Sequence, residues 1–435
     1  MKKQQSDGDL MNRRLVIKKK SIIFLLFMLC ITAVYGTNYW FTHLYAYDFM
    51  LLTSMILSIM IFVFNGIKIE KTHYRTTISL TILMWLSGII VAKGYGLPTT
   101  VILKESLSTI VPLMLYLAFG PLIKSMRDIS LFLRIISVSG FICNLVAFLE
   151  MFLAVRGFDF LRMNVFEKFR NGTPRFTIGE TIIVLSLFIS CSIVVNKNFS
   201  INKRLFHFLN IAMTIINLIW IMKTRSLNLY LLITVLMIPI LNNRMGKQIK
   251  LLTGTLVIGI LGFSFFSYLV PLLNDLVASD YGVQVRFSTI NYYLDYFRRN
   301  WLLGSGYISA SPNYSTHYIV VGPFGRYYPS DVGVIGLMFR NGIIGLSWLV
   351  SWFYSSLKII RNNSNNIPAY YDLLMKLLIA FLLFSCINLI LTDTPRFPYI
   401  TLGMLIFESS YILKNTDSPN NTTAQNRYIK DGNNG

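Results

Sequence analysis

Apolar residues in this chain come in long unbroken runs, with polar and charged residues confined to the short breaks between them. A helix of about 20 apolar residues crosses a bilayer. Runs of that order lie near 21–38, 48–67, 76–93, 105–123, 131–154, 177–195, 205–222, 226–241, 251–270, 341–357, 371–391 and 398–413. Backbone N–H and C=O groups cannot be left unpaired in hydrocarbon, so such runs read as helices. The pattern predicts an all-α, polytopic integral membrane protein of about 12 transmembrane helices, with one large extracytoplasmic loop.

The organisation follows from the same reading. A basic cytoplasmic N-terminus (1–20) precedes helices 1–9 (21–270), the large loop (271–340), helices 10–12 (341–413) and a disordered, Asn-rich cytoplasmic tail (414–435). An even number of crossings puts both termini on one side. Most Lys and Arg fall in the segments then assigned to the cytoplasm, which supports that orientation. The loop 271–340 is much longer than a helix connection requires. It predicts a helix around Val285–Arg298, a turn at Gly304-Ser305-Gly306 and a Pro/Gly/Tyr-rich stretch from Pro312 to Pro329. Long loops of this kind more often bind than connect.

Composition agrees with the pattern. Of 435 residues, 54% are hydrophobic and 14% charged, too little polar surface for a soluble domain. The net charge of +21 is dispersed over many short loops, with no compact basic domain to hold nucleic acid. Cys30, Cys143, Cys191 and Cys386 all fall within apolar runs, without the close spacing of a metal or redox motif. Lys18-Lys19-Lys20 before the first run reads as a retained signal anchor, because the span pattern continues after it. P-loop, nucleophile-elbow and zinc-protease motifs are absent from the sequence, so no cofactor or metal is expected.

The outer side keeps positive charge against the insertion bias, a sign that it serves a ligand. Ionisable residues gather at predicted outer helix ends: Glu150, Arg175, Glu180, Arg225, Arg340, Asp393 and Arg396. They read either as the lining of a polar cavity or as headgroup-level and helix-helix pairs. Arginine offers a bidentate fork to pyrophosphate. Arg225 opens a predicted helix, where the free N–H groups also favour an anion, with Arg286, Arg175, Arg340 and Glu180 as further candidates for substrate binding. Asp331 and His317 are the candidate catalytic base. Each has a plain alternative: Asp331 as a helix cap, His317 as a sugar contact or exposed side chain. The loop's many tyrosines fit an interfacial belt or stacking against sugars.

Three stretches together resemble the O-antigen polymerase and O-antigen ligase superfamily of bacterial surface-polysaccharide assembly. Lys223-Thr224-Arg225-Ser226 is similar to the family's Thr-x-Ser-Arg, with Arg225 and Ser226 in reversed order. Arg286-Phe287 through Asn300-Trp301-Leu302-Leu303-Gly304-Ser305-Gly306-Tyr307 resembles the family's arginine helix and its Pro-Leu-Leu-Gly-x-Gly turn. Asp331 followed by Gly342-Ile343-Ile344-Gly345-Leu346 resembles the Gly-x-x-Gly-Leu that opens a late span. The likeness spans roughly 175–357. Asp331 and Val332 stand where the ligase branch has His and Asn, which favours a polymerase. The resemblance implies a metal-independent glycosyltransferase of the cytoplasmic membrane whose active site faces the periplasm or cell exterior. Its partners would be polyprenyl-pyrophosphate-linked oligosaccharides, membrane lipid, a chain-length regulator and a flippase.

Overall fold

The computed structural model describes residues 19–32, 46–66, 72–158, 169–170, 173–174, 178–196, 199–242, 245–256, 259, 281–387, 389, 391–393 and 395–416. Helices stand on the apolar runs. α1 covers 19–32, α2 Ala46–Asn65, α3 Arg75–Gly94, α4 Thr99–Phe119, α5 Met126–Ala154 and α6 Glu180–Val195. α7 is Ile201–Ile216, prolonged by a π-helical turn at Asn217–Met222; α8 is Arg225–Leu236 and α9 is Ile238–Leu241. α10 covers 247–256, while most of the predicted 251–270 run lies outside the described residues. α11 is Tyr281–Arg299, α12 His317–Val321, α13 Gly333–Asn363, α14 Ala369–Ser385 and α15 Phe397–Thr416. Two two-residue strands pair antiparallel, Phe169 opposite Pro174 and Arg170 opposite Thr173.

Among the described residues, five helices are long and apolar enough to cross a membrane: Arg75–Gly94, Thr99–Leu122, Met126–Ala154, Ile201–Met222 and Gly333–Asn363. Their outer faces remain apolar. Ile90 is 68% exposed and Val350 59%, the reverse of a water-soluble surface and the expectation for one facing lipid.

Local chemistry places the ends. Ser125 caps α5 by accepting the N–H of Asp128, and Asp128 in turn takes the Lys20 ammonium at 2.7 Å, tying the first described helix to the start of α5. Gly179 precedes α6 in a left-handed conformation, where a Cβ would strike the Cys143 sulfur. Lys20, His73, Glu408 and Lys414 lie at one end of the bundle, and Tyr95, Glu105, Asp393 and Arg396 at the other.

The large core unites α1–α8 with α13–α15. A second core is built only at the Tyr95 end. There Tyr293 of α11, Tyr307, Val320, Tyr327 and Val332 pack on Ala92 of α3, Ile102 of α4 and Phe339 of α13. Residues 281–332 thus form a cap with its own apolar interior. The run predicted to begin at 341 starts instead at Gly333, because the first turns of α13 belong to this cap.

Candidate functional site

The cap enters the bundle through a break in α13. Gly342 has φ 58° and ψ −148°, which ends one helical segment and begins another. The groups released there are taken up by the Trp301–Gly306 turn. Ser305 and Gly306 donate their N–H groups to the carbonyls of Phe339 and Arg340, each at 2.8 Å, and Ile343 donates to the carbonyl of Trp301 at 2.8 Å. Broken helices are tolerated at membrane depth only when protein or a polar cavity satisfies them.

Glycine is required on both sides of this junction. Gly304 has φ 68°, and a Cβ on it would lie 2.6 Å from the Phe339 carbonyl oxygen; one on Gly342 would lie 2.4 Å from that of Leu302. Beyond the turn, Tyr307 donates its hydroxyl to Met84 and takes the space left by Gly88 on α3.

Arg340 therefore sits on the break with its backbone held by Gly306. Its charge and that of Asp331 both reach the Tyr293 hydroxyl. Burial raises the pKa of Tyr293 well above the ordinary phenol value; Tyr292 and Asp331 add to the rise and Arg340 opposes it. The phenol remains a neutral donor and binds the Val320 carbonyl. Asp331 itself is exposed at the end of a 3-10 turn, and Val332 occupies the N-cap of α13.

His317 opens α12 on the same cap. Its Nδ1 lies 2.6 Å from the carbonyl of Ala310. A carbonyl only accepts, so Nδ1 is the donor, and of the two neutral tautomers this contact selects the one with its lone pair on Nε2, the tautomer a base needs. The adjacent Thr316 hydroxyl binds the carbonyl of Ser309, and the Ser309 hydroxyl donates to Glu105 of α4 at 3.2 Å.

The remaining candidates divide. Glu180 opens α6 beside Thr181, whose hydroxyl binds the Pro395 carbonyl, and both Glu180 and Arg396 act on Tyr399. Arg396 pairs with Asp393 at 3.2 Å. These groups form a second polar cluster at the same end. Arg286 is exposed on α11. Arg225 is the first residue of α8, as predicted, following Lys223 at φ 50°; its side chain and the whole of Arg175 lie outside the described residues.

Three participants were not among the sequence candidates. Glu105 was absorbed into an apolar run. Tyr293 was one of many loop aromatics. Asn341 is 1% exposed, and neither atom of its amide meets a hydrogen-bond partner among the described residues. The pair Asn341-Gly342 within an otherwise apolar helix is the signal that would have marked the break. No family model matches the chain, and no curated protein matches it.

Proposed function

We propose that the chain is a polymerase joining polyprenyl-pyrophosphate-linked oligosaccharide repeat units on the outer face of the bacterial cytoplasmic membrane. In this reading about twelve helices cross the membrane, and the cap 281–332 faces outward. The grouping of predicted inner residues at one bundle end and predicted outer residues at the other supports the alternating course of the helices in that reading.

One observation carries the reading: Arg340 and Asp331 act on one buried tyrosine at a break in α13, with His317 held in its base-competent tautomer on the same cap. A sugar hydroxyl of the acceptor attacks the anomeric carbon of the donor. The carbon–oxygen bond to the pyrophosphate breaks, and polyprenyl pyrophosphate leaves with the electron pair. Arg340, joined by Arg225, Arg286 and Arg175, holds the diphosphate and offsets its growing charge. His317 Nε2 or the Asp331 carboxylate receives the hydroxyl proton. Glu180 belongs to the cluster that admits the substrate.

The break in α13 also suits a transporter of the same lipid-linked sugar, since transporters use discontinuous helices at their binding sites. An O-antigen ligase, passing a finished chain to another acceptor, is the nearest enzymatic alternative. Purified protein in vesicles, supplied with a polyprenyl-pyrophosphate repeat unit, separates them. A polymerase builds a ladder of oligomers and Arg225→Ala or Arg340→Ala abolishes it. Movement of unpolymerised units across the vesicle would support transport, and chain transfer without a ladder would support ligation.

A further inference from the structure

A carboxylate stands where α4 meets the cap. Ile102 of α4 is part of the cap's core, and Glu105, one turn on and on the same face, is half-buried. The neighbouring Lys104 is bound to Asp48 of α2 at 2.8 Å, and among the described residues Glu105 has no salt bridge. A half-buried carboxylate without a cation relies on hydrogen-bond donors. Here the donor is the hydroxyl of Ser309, a residue 4% exposed, at 3.2 Å.

The Ser309 hydroxyl gives its proton to Glu105, and its oxygen accepts the backbone N–H of Ser311 at 3.2 Å. The two residues flanking Ala310 are therefore tied to each other and to α4. The Ser309 carbonyl takes the hydroxyl of the buried Thr316 at 3.0 Å, and the Ala310 carbonyl takes His317 Nδ1 at 2.6 Å. Glu105, Ser309, Ala310 and His317 form one continuous series from the bundle to the imidazole ring.

A neutral imidazole has two tautomers, and the Ala310 carbonyl is the group that chooses between them here. A loop carbonyl keeps its direction only while the peptides on either side of it are fixed. We propose that Glu105 is a positioning residue for His317: by accepting the Ser309 hydroxyl it holds the Ala310 carbonyl in place and so keeps the ring's lone pair on Nε2. Its importance for turnover rests on the reading of His317 as a base, whereas the coupling itself does not require the reaction. What Glu105 supplies is an acceptor oxygen. A glutamine carbonyl offers one in its place and an alanine offers none.

Nitrogen-15 NMR of the full-length protein labelled at histidine, at about pH 8.5 where an ordinary imidazole is neutral, reads the tautomer from the separate shifts of Nδ1 and Nε2. The His317 signals are those lost in His317→Asn. The wild-type ring is expected to carry its proton on Nδ1, and a proton on Nε2 overturns the proposal. Glu105→Ala is expected to move the tautomer ratio about fivefold toward Nε2–H, the weight of one neutral hydrogen bond, and Glu105→Gln to restore it. A folded Glu105→Ala with the wild-type ratio overturns the proposal, as does a glutamine variant that behaves like alanine. If Glu105→Ala does not fold, Ser309→Ala deletes the same bond from the cap side, with the same two outcomes. In the oligomer assay Glu105→Ala should lower kcat by a similar factor, about fivefold, at unchanged KM. A wild-type protein that builds no ladder refutes the polymerase reading and leaves the tautomer ratio to decide the role of Glu105. A shifted ratio with intact turnover upholds the coupling and refutes His317 as the base.

Discussion

Gly306 donates its backbone N–H to the carbonyl of Arg340 at 2.8 Å, so a glycine of the cap fixes the arginine placed at the centre of the proposed site. The arginine is positioned through its main chain, which leaves its guanidinium to act on Tyr293 and Tyr307. Activity is therefore expected to depend on glycines that carry no chemistry of their own.

Gly304→Ala tests this directly. A left-handed alanine costs about 1–2 kcal/mol, and its methyl meets the Phe339 carbonyl as well. A lower melting temperature and loss of the oligomer ladder are expected together. Full activity in this variant would show that the turn does not position Arg340.

Arg340→Ala is expected to lower turnover by about 10²–10³, the usual loss when one preorganised donor to a developing anion is removed. Arg340→Lys keeps the charge but not the planar fork, and should recover only part of the rate. Turnover equal to wild type in the lysine variant would mean that charge alone matters there.

His317→Asn separates a base from an anchor. The asparagine amide can still donate to the Ala310 carbonyl, so the cap should stay folded, whereas the Nε2 lone pair is lost. Turnover is expected to fall at least tenfold at unchanged melting temperature. An asparagine variant with wild-type turnover would leave His317 as an anchor only. Asp331→Asn should likewise cripple the proposed activity, and a fully active Asp331→Ser would exclude the carboxylate.

Asn341→Leu exploits a buried amide that meets no hydrogen-bond partner among the described residues. Leaving such a group unsatisfied costs about 1–3 kcal/mol, so an apolar side chain of similar size is expected to raise the melting temperature. If the amide serves the reaction at the break, turnover falls at the same time. A stabilised variant with intact turnover would assign Asn341 no part in function.

The hydrophobic runs by themselves determined that this is a helical membrane protein and where most helices lie, because run length and lipid solvation act locally along the chain. The helix at Val285–Arg298, the Gly304-Ser305-Gly306 turn and the opening of α8 at Arg225 were legible for the same reason: capping and turn chemistry involve near neighbours. Only the tertiary structure decided that Trp301–Gly306 plugs a break in α13, that Glu105 supports the His317 loop, and that His73 meets Glu408. Hydropathy records whether a residue is withdrawn from water and not what it touches. A hydrogen bond between distant segments leaves no periodicity in either, so the glycines and buried polar groups acquire their meaning only once the chain is packed.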